Sequence, residues 1–237
     1  MYGVKNTDPV EVRFIDLGLS GYKMTWELQE DLFEKIVMAK TGKPEQGLSA
    51  EQYLLFCEHP HVYTLGKSGS EQNLLIDHIQ LRANDAEFYR IDRGGDITYH
   101  GPGQIVGYPI LDLESFGLSA RSYIWLLEES IIRTLDDYGI EAGRINASTG
   151  VWIDPSGKRP RKICAIGVRL SRYISMHGFA FNINTDLVYF DYINPCGLTD
   201  KGVTSLNREM GTDMDMEEIK LRLRSKIADL FKMKFVL

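Results

Sequence analysis

The sequence predicts an α+β fold with a mixed, mainly antiparallel sheet flanked by helices. Apolar runs of strand length dominate the middle of the chain, whereas apolar residues recur at helical spacing near its start, centre and end. The turn signal Asp154-Pro155-Ser156-Gly157 separates two strand-like runs, which favours antiparallel pairing between them. We expect one domain over residues 1–237. A small C-terminal subdomain from about residue 200 stays open, although no linker marks it.

Apolar periodicity and capping residues predict the individual elements. The first helix lies within 26–37, and the second follows the N-cap candidate Ser119 and stops near Gly139. The last begins near Asp213 or Asp215 and carries one apolar face of Ile219, Leu223, Ile227 and Phe231. Strands are predicted at 10–17, 53–57, 87–91, 105–113, 150–153, 163–170 and 174–184.

Composition and charge narrow the class of protein. The chain has 237 residues, 43% of them hydrophobic, with a formal net charge of -6. That charge argues against broad nucleic-acid binding, which needs a basic surface. No apolar run approaches the length of a membrane span, and the first residues lack the apolar block of a signal peptide, so we expect a cytoplasmic protein. Local basic residues between Lys158 and Arg172 form either a solvated hairpin or a docking patch for an acidic partner.

The cysteines and histidines do not predict a metal site or a disulfide framework. Cys57, Cys164 and Cys196 are widely spaced, and no CxxC pair is present. Cys57, His59 and His61 alternate as on one strand face, but a proline interrupts them and no carboxylate shares their spacing. We therefore expect neither a metal nor any other cofactor.

The densest functional signal is the glycine-rich stretch 93–104, which reads RGGDITYHGPGQ. Glycine allows positive φ and lets the backbone approach a ligand closely. The stretch lacks the Gly-Lys-Ser/Thr ending of a phosphate loop, and no helix follows it as a dinucleotide fingerprint requires. It is either a long surface turn or a ligand-binding loop. Its His100 is a better site candidate than His177, which resembles a satisfied sheet histidine.

Two further residues are candidates for covalent chemistry. Cys196 lies between a proline and a glycine, which places it in a turn and not in a packed element. Lys162 opens the strand-like run 162–168, where period two places it on the same face as Cys164. A lone lysine at a strand start is more often a solvent contact, and Cys164 is the rival nucleophile.

Taken together, these segments resemble the lipoyl(octanoyl) transferases of lipoate biosynthesis. The resemblance rests on RGG…HGPGQ at 93–104, KICAIG at 162–167, HGFAFN at 177–182 and PCG at 195–197, in consistent order. It implies a fold like the biotin and lipoate protein ligase catalytic domain, and a dyad of Cys196 and Lys162. The substrate-binding residues it implies are Arg93, Gly94, Gly95, Asp96, Ile97, Thr98, Tyr99, His100, Ala165, Ile166, Gly167, Gly178, Phe179 and Ala180.

The resemblance also implies a reaction. An octanoyl group would pass from octanoyl-acyl carrier protein, through a cysteine thioester, to the lysine amine of lipoyl domains. The acceptors would be the E2 subunits of 2-oxoacid dehydrogenases and the glycine cleavage H protein. No metal or nucleotide would be needed, because the thioester already carries the activation. Two alternatives remain open: an ATP-dependent lipoate or biotin protein ligase, and a non-catalytic module that binds acyl chains or carrier proteins.

Overall fold

The computed structural model describes residue 4 and residues 8–42, 51–194 and 201–236. Five α-helices and two short 3₁₀ segments, Glu71–Asn73 and Leu187–Tyr192, are present in these ranges. The helices are α1 Tyr22–Lys40, α2 His78–Ala83, α3 Ala120–Asp136, α4 Leu206–Met210 and α5 Met216–Phe231. The strands are β1 Val10–Leu19, β2 Tyr53–Glu58, β3 Val62–Leu65, β4 Glu87–Arg90, β5 Ile97–His100, β6 Gln104–Ile110, β7 Ala142–Ile145, β8 Ser148–Ile153, β9 Arg161–Ser171, β10 Ile174–Asn182, β11 Gly202–Val203 and β12 Met233–Val236.

The strands form two sheets. The large sheet has the order β12-β1-β2-β6-β10-β9-β8-β7, with β11 beside β9, and the small sheet has the order β4-β3-β5. In the large sheet, β1 pairs in parallel with both β12 and β2, and β11 pairs in parallel with β9. The remaining neighbours, β2-β6, β6-β10, β10-β9, β9-β8 and β8-β7, pair antiparallel. The predicted mixed, mainly antiparallel α+β fold is therefore confirmed.

Helices cover both faces of the large sheet. On one face α3 and α5 pack together over the main apolar core. The face predicted for the last helix is correct, since Ile219, Leu223, Ile227 and Phe231 are all fully buried. On the opposite face α1 packs over β6 and β10. Strand β2 alternates between these two cores, with Leu54 and Phe56 on one side and Leu55 and Cys57 on the other.

Side-chain caps fix where two of the predicted helices begin. The Ser119 hydroxyl accepts from Ser122 N–H at the start of α3. Asp215 accepts from the amides of Glu217 and Glu218 at the start of α5. These caps satisfy backbone donors that have no partner inside a helix. Among the helices in the described ranges, none combines the length and apolar character needed to cross a membrane.

The small sheet sits above the α1 side of the large sheet. Its connection from β4 to β5 contains the glycines of the RGG stretch, and there the Gly94 N–H donates to Val168 O on β9 at 2.9 Å. The two sheets are therefore joined near Val168, and residues of both line a common cavity.

Candidate active site

A cavity of about 890 Å³ lies between the two sheets. Its floor contains a row of small and medium side chains: Ala180 on β10 lies opposite Val106 on β6 and opposite Ala165 on β9. The glycine-rich stretch 93–98 and the segment after β10 contribute to the other walls. A concave cavity with an apolar floor and a few convergent polar residues is typical of a small-ligand site.

Lys162 lines this cavity, and a β-bulge places it there. Val151 on β8 lies opposite Cys164, but the next residue, Trp152, lies opposite Lys162, so Ile163 is an extra residue in β9. Ile163 and Cys164 both point into the α3/α5 core, where each is fully buried. The prediction that Lys162 and Cys164 share a face is therefore wrong, because a bulge breaks the period-two alternation.

The ammonium of Lys162 lies over an indole ring. Its Nζ is 4.7 Å from the ring centroid of Trp152, and Nζ of Lys201 is 5.3 Å from the same ring. Both lysines line the cavity, as does Trp152. Cation–π contact of this kind holds an ammonium at a fixed place without neutralising it.

Gly150 supports the bulge and was not anticipated from the sequence. Its φ is +126°, and a Cβ there would lie 2.6 Å from the Cys164 carbonyl oxygen and 3.4 Å from Cε of Lys162. Its N–H donates to Glu128 Oε1 at 3.0 Å, and Glu128 in turn pairs with Arg144 at 2.9 Å. Glycine inside a strand often marks a bulge or a close backbone approach, and that signal was available in the sequence.

The predicted ligand loop is held in shape by its own charged residues. Arg93 is buried and donates through Nη2 to Thr64 O at 2.7 Å and Thr64 Oγ1 at 3.0 Å. Asp96 accepts from its neighbour Ile97 N–H at 2.7 Å and from Asn73 Nδ2 at 2.7 Å. Most of the residues that the resemblance implied line the cavity, namely Arg93, Gly95, Asp96, Ile97, Thr98, His100, Ala165, Ile166, Gly167, Gly178, Phe179 and Ala180.

Gly94 and Tyr99 are not among the described residues that line the cavity. Gly94 instead joins the loop to β9 through its hydrogen bond to Val168. Tyr99 is fully buried in the small sheet, with its hydroxyl 2.7 Å from Nδ1 of His61. Both residues therefore shape the wall of the cavity from behind.

His100 belongs to a buried hydrogen-bond chain. Gln104 Nε2 donates to Tyr99 O and to Asn182 Oδ1, so its Oε1 is the acceptor that faces His100 Nδ1 at 2.9 Å. His100 Nε2 then accepts from Thr64 Oγ1 at 3.3 Å. Burial lowers the pKa of His100 to about 3, which keeps the ring neutral at physiological pH.

His177 connects β10, in the floor of the cavity, to Asp92, which directly precedes the glycine-rich stretch. Its φ is +60°, its N–H donates to Gln29 Oε1 at 3.1 Å, and its Nε2 lies 3.0 Å from Asp92 Oδ1. Asp92 also pairs with Arg169 at 2.7 Å, and the hydrogen bond from His177 lowers the pKa of Asp92. Nδ1 of His177 is buried and has no hydrogen-bond partner among the described residues. His177 resembled a sheet histidine with all its hydrogen bonds formed, but among the described residues its ring has a partner at Nε2 only.

The predicted nucleophile, Cys196, lies outside the described residues. Asn194 and Lys201, the described residues on either side of 195–200, both line the cavity. The other two cysteines, Cys57 and Cys164, are fully buried, and burial raises the pKa of both thiols. A raised thiol pKa disfavours the reactive thiolate, so neither is a good nucleophile at neutral pH.

The histidines near Cys57 and the basic hairpin have structural partners. His59 lies 2.6 Å from Ser20 O through Nδ1 and 2.8 Å from the Tyr108 hydroxyl through Nε2. Arg161 pairs with Asp154 at 2.7 Å and with Glu209 at 3.0 Å. Arg161 is therefore paired with carboxylates of the fold, whereas Lys158 and Arg159 are exposed on the hairpin.

Comparison with known proteins identifies the family. The family model described as the lipoyl protein ligase A/B catalytic domain matches residues 21–228. An octanoyltransferase of Flavobacterium johnsoniae is 55% identical over 95% of this chain and 99% of its own length. An octanoyltransferase of Bacteroides thetaiotaomicron is 53% identical over 93% of this chain and 95% of its own length.

A solved structure shares the fold. It contains the bipartite lipoate protein ligase of Thermoplasma acidophilum, and it superimposes with a TM-score of 0.68 over 96% of this chain and 86% of its own. Only 15% of the aligned residues are identical, so this likeness concerns the fold. It confirms the predicted similarity to lipoate protein ligase catalytic domains.

Proposed function

Since the chain belongs to the lipoyl protein ligase A/B catalytic-domain family, among its octanoyltransferases, we propose that it acylates lipoyl domains. The octanoyl group comes from the thioester of octanoyl-acyl carrier protein. The acceptors are lysine amines on the lipoyl domains of 2-oxoacid dehydrogenase E2 subunits and on the glycine cleavage H protein. The observation that carries the proposal is Lys162, a cavity lysine whose direction is set by the bulge at Ile163.

The first half-reaction uses Cys196 as nucleophile. Its thiolate attacks the donor carbonyl carbon, the C–S bond to the carrier breaks, and a new thioester forms on the enzyme. A free cysteine has a pKa of about 8.5, so only a small fraction is ionised at neutral pH. A neighbouring ammonium favours the charged form, which is the role we assign to Lys162. Lys162 then gives a proton to the departing pantetheine sulfur.

The second half-reaction makes the amide. The acceptor amine attacks the enzyme thioester, Cys196 leaves as a thiolate, and the amine nitrogen must lose a proton. Lys162, neutral after the first step, accepts it and returns to the ammonium form. His100 is poorly suited to that role, because its depressed pKa leaves it a weak base and its Nδ1–H already donates to Gln104.

The burial of Cys57 and Cys164 supports Cys196 as the nucleophile. Their burial in the two cores removes both from the set of accessible thiols, whereas the segment containing Cys196 is flanked by two cavity residues, Asn194 and Lys201. The transferase needs a reactive cysteine at the cavity, and only Cys196 remains as a candidate.

Intact-mass spectrometry tests the proposal. Incubation with octanoyl-acyl carrier protein, without ATP, should add one octanoyl group, and peptide mapping should place it on Cys196. A Cys196→Ser variant should lose the thioester, while a Cys57→Ser control should keep it. Transfer that occurs only with octanoate and ATP would identify an ATP-dependent ligase instead. Binding without acylation would identify a non-catalytic module.

A further inference from the structure

Trp152 on β8 is buried without belonging to a core. It is the largest fully buried side chain among the described residues, with 1% of its surface exposed. Its neighbours along the strand, Val151 and Ile153, belong to the α3/α5 core, so strand alternation turns Trp152 to the opposite face. There it lines the cavity, and it joins none of the apolar clusters that the described residues form. Core packing therefore does not account for a tryptophan at this position.

The backbone around Trp152 fixes the direction of its indole. Trp152 lies opposite Lys162 in the β8–β9 pair and opposite Gly143, which carries no side chain, in the β7–β8 pair. Its Nε1 donates to Ser148 O at 3.0 Å, which holds the ring within its own hairpin. Directly opposite residues in a sheet interact through their side chains, and here the ring lies 4.7 Å from Nζ of Lys162.

A second lysine approaches the same ring from the other side of β9. Strands β8 and β11 both pair with β9 at Arg161 and Lys162, and they therefore flank these two residues. Lys201 directly precedes β11, and its Nζ is 5.3 Å from the ring centroid of Trp152. Two ammonium groups thus converge on one indole, whose electron-rich face attracts cations. The contacts of this ring within the cavity are those of a cation-binding surface.

We propose that Trp152 is a positioning residue, which holds the ammonium of Lys162 at one place in the cavity. The proposal rests on the proposed function, in which Lys162 takes up the proton that the acceptor amine nitrogen loses. The flexible four-carbon stem of a lysine does not fix its amine, so the ring supplies that constraint. The ring attracts an ammonium more than a neutral amine, so the contact strengthens as Lys162 accepts the proton. An interaction that strengthens towards the transition state raises the rate.

The first test measures the contact itself and needs no catalysis. In protein with ¹³C-labelled lysine, the Hε signals of Lys162 are identified by their loss in Lys162→Arg. They should lie upfield of the signals of exposed lysines, because the face of an indole shields nearby protons. Trp152→Leu should return them to the ordinary position. Signals that do not move in Trp152→Leu would overturn the proposal.

The second test measures amide formation from isolated acyl-enzyme. Trp152→Leu removes the ring face and should slow this step about 5- to 30-fold, equivalent to about 1–2 kcal/mol, with KM for the acceptor domain unchanged. Trp152→Phe keeps an aromatic face and should recover part of the rate. Both variants lose the Nε1 donor, so the difference between them isolates the ring. Equal losses in the two variants would show a packing role and refute the proposal.

A tryptophan elsewhere provides the control. Trp26 on α1 is half-buried and is not among the described residues that line the cavity, so Trp26→Leu should leave the rate of amide formation unchanged. Native protein that forms no acyl-enzyme would refute the proposed function and the positioning role with it. Acyl-enzyme that forms normally, with an amide step unaffected by Trp152→Leu, would refute the positioning role alone and leave the proposed function standing.

Discussion

Lowering the pH from 7 to 5 should destabilise the fold through two buried histidines, His59 and His100. Burial lowers the pKa of His59 to about 4 and that of His100 to about 3, against about 6.5 in an unfolded chain. Because the unfolded state takes up protons first, this stability is complete above pH 6.5 and is lost as the pH falls towards 4. Between pH 7 and pH 5 the linkage relation gives a loss of about 2 kcal/mol for each histidine.

The geometry explains why both rings resist protonation. His59 Nδ1 donates to Ser20 O, so its Nε2 accepts from the Tyr108 hydroxyl and lies 3.4 Å from Cys57 Sγ. A proton on Nε2 would oppose both of these donors. His100 is likewise engaged at both nitrogens. An added charge at either ring would lie in a buried setting with no carboxylate hydrogen-bonded to it among the described residues.

Urea unfolding at pH 7, 6 and 5 measures the effect. His59→Gln removes one titrating group and should reduce the loss of unfolding free energy between pH 7 and pH 5 by about 2 kcal/mol. His78→Gln, on the exposed surface of α2, serves as the control and should not change it. If His59→Gln loses as much stability as the native protein over this range, His59 takes up its proton in the folded state and the reasoning is wrong.

Further predictions concern the site and its surroundings. Lys162→Arg keeps the positive charge but cannot release a proton, so the Cys196 thiolate should partly persist, measured by alkylation rate against pH, while amide formation slows about 10²–10⁴-fold, measured from isolated acyl-enzyme. Normal amide formation would restrict Lys162 to an electrostatic role. Gly150→Ala should cost about 1–3 kcal/mol in urea unfolding and reduce activity, because its φ of +126° and the 2.6 Å contact force β8 away from the bulge. Gly139→Ala, at a φ of +69° with no atom within 4 Å, is its control and should cost about 1–2 kcal/mol without loss of activity. Arg159→Glu should raise KM for octanoyl-acyl carrier protein but not for a small octanoyl thioester; Arg161→Glu should also lower stability, because it breaks the pairs with Asp154 and Glu209.

Local sequence signals predicted the three long helices and the long strands well, whereas the short helices α2 and α4 were not predicted. The Ser119 and Asp215 caps and the apolar face of α5 lie where hydrogen bonding and burial place them. Strands β3, β5, β7, β11 and β12 were not predicted, because each is at most four residues long and carries little periodicity. Their pairing depends on distant partners, such as β12 with β1 at the opposite end of the chain. Pairing between such distant strands cannot be recognised from the residues of either short segment alone.

The glycine-rich loop shows what a motif conveys and what it omits. Its composition left open a long surface turn or a ligand-binding loop, the family resemblance favoured the latter, and most of its residues do line the cavity. The motif did not reveal that Arg93 is directed at Thr64, or that Asp96 is bonded within the loop. Charged residues in a ligand loop suggest contacts with substrate, but the hydrogen bonds of these two are used to hold the loop itself.

The direction of Lys162 depends on the core as much as on chemistry. Strand β9 must supply apolar residues to the α3/α5 core and a lysine to the cavity, and strict alternation would put Lys162 on the same side as Cys164. The bulge resolves this conflict by turning Ile163 and Cys164 both towards the core. It requires a partner strand without a side chain at Gly150, whose N–H is held by Glu128. The position of the proposed proton carrier is therefore set by residues that need not touch substrate, and for that reason a period-two reading of Lys162 alone gave the wrong face.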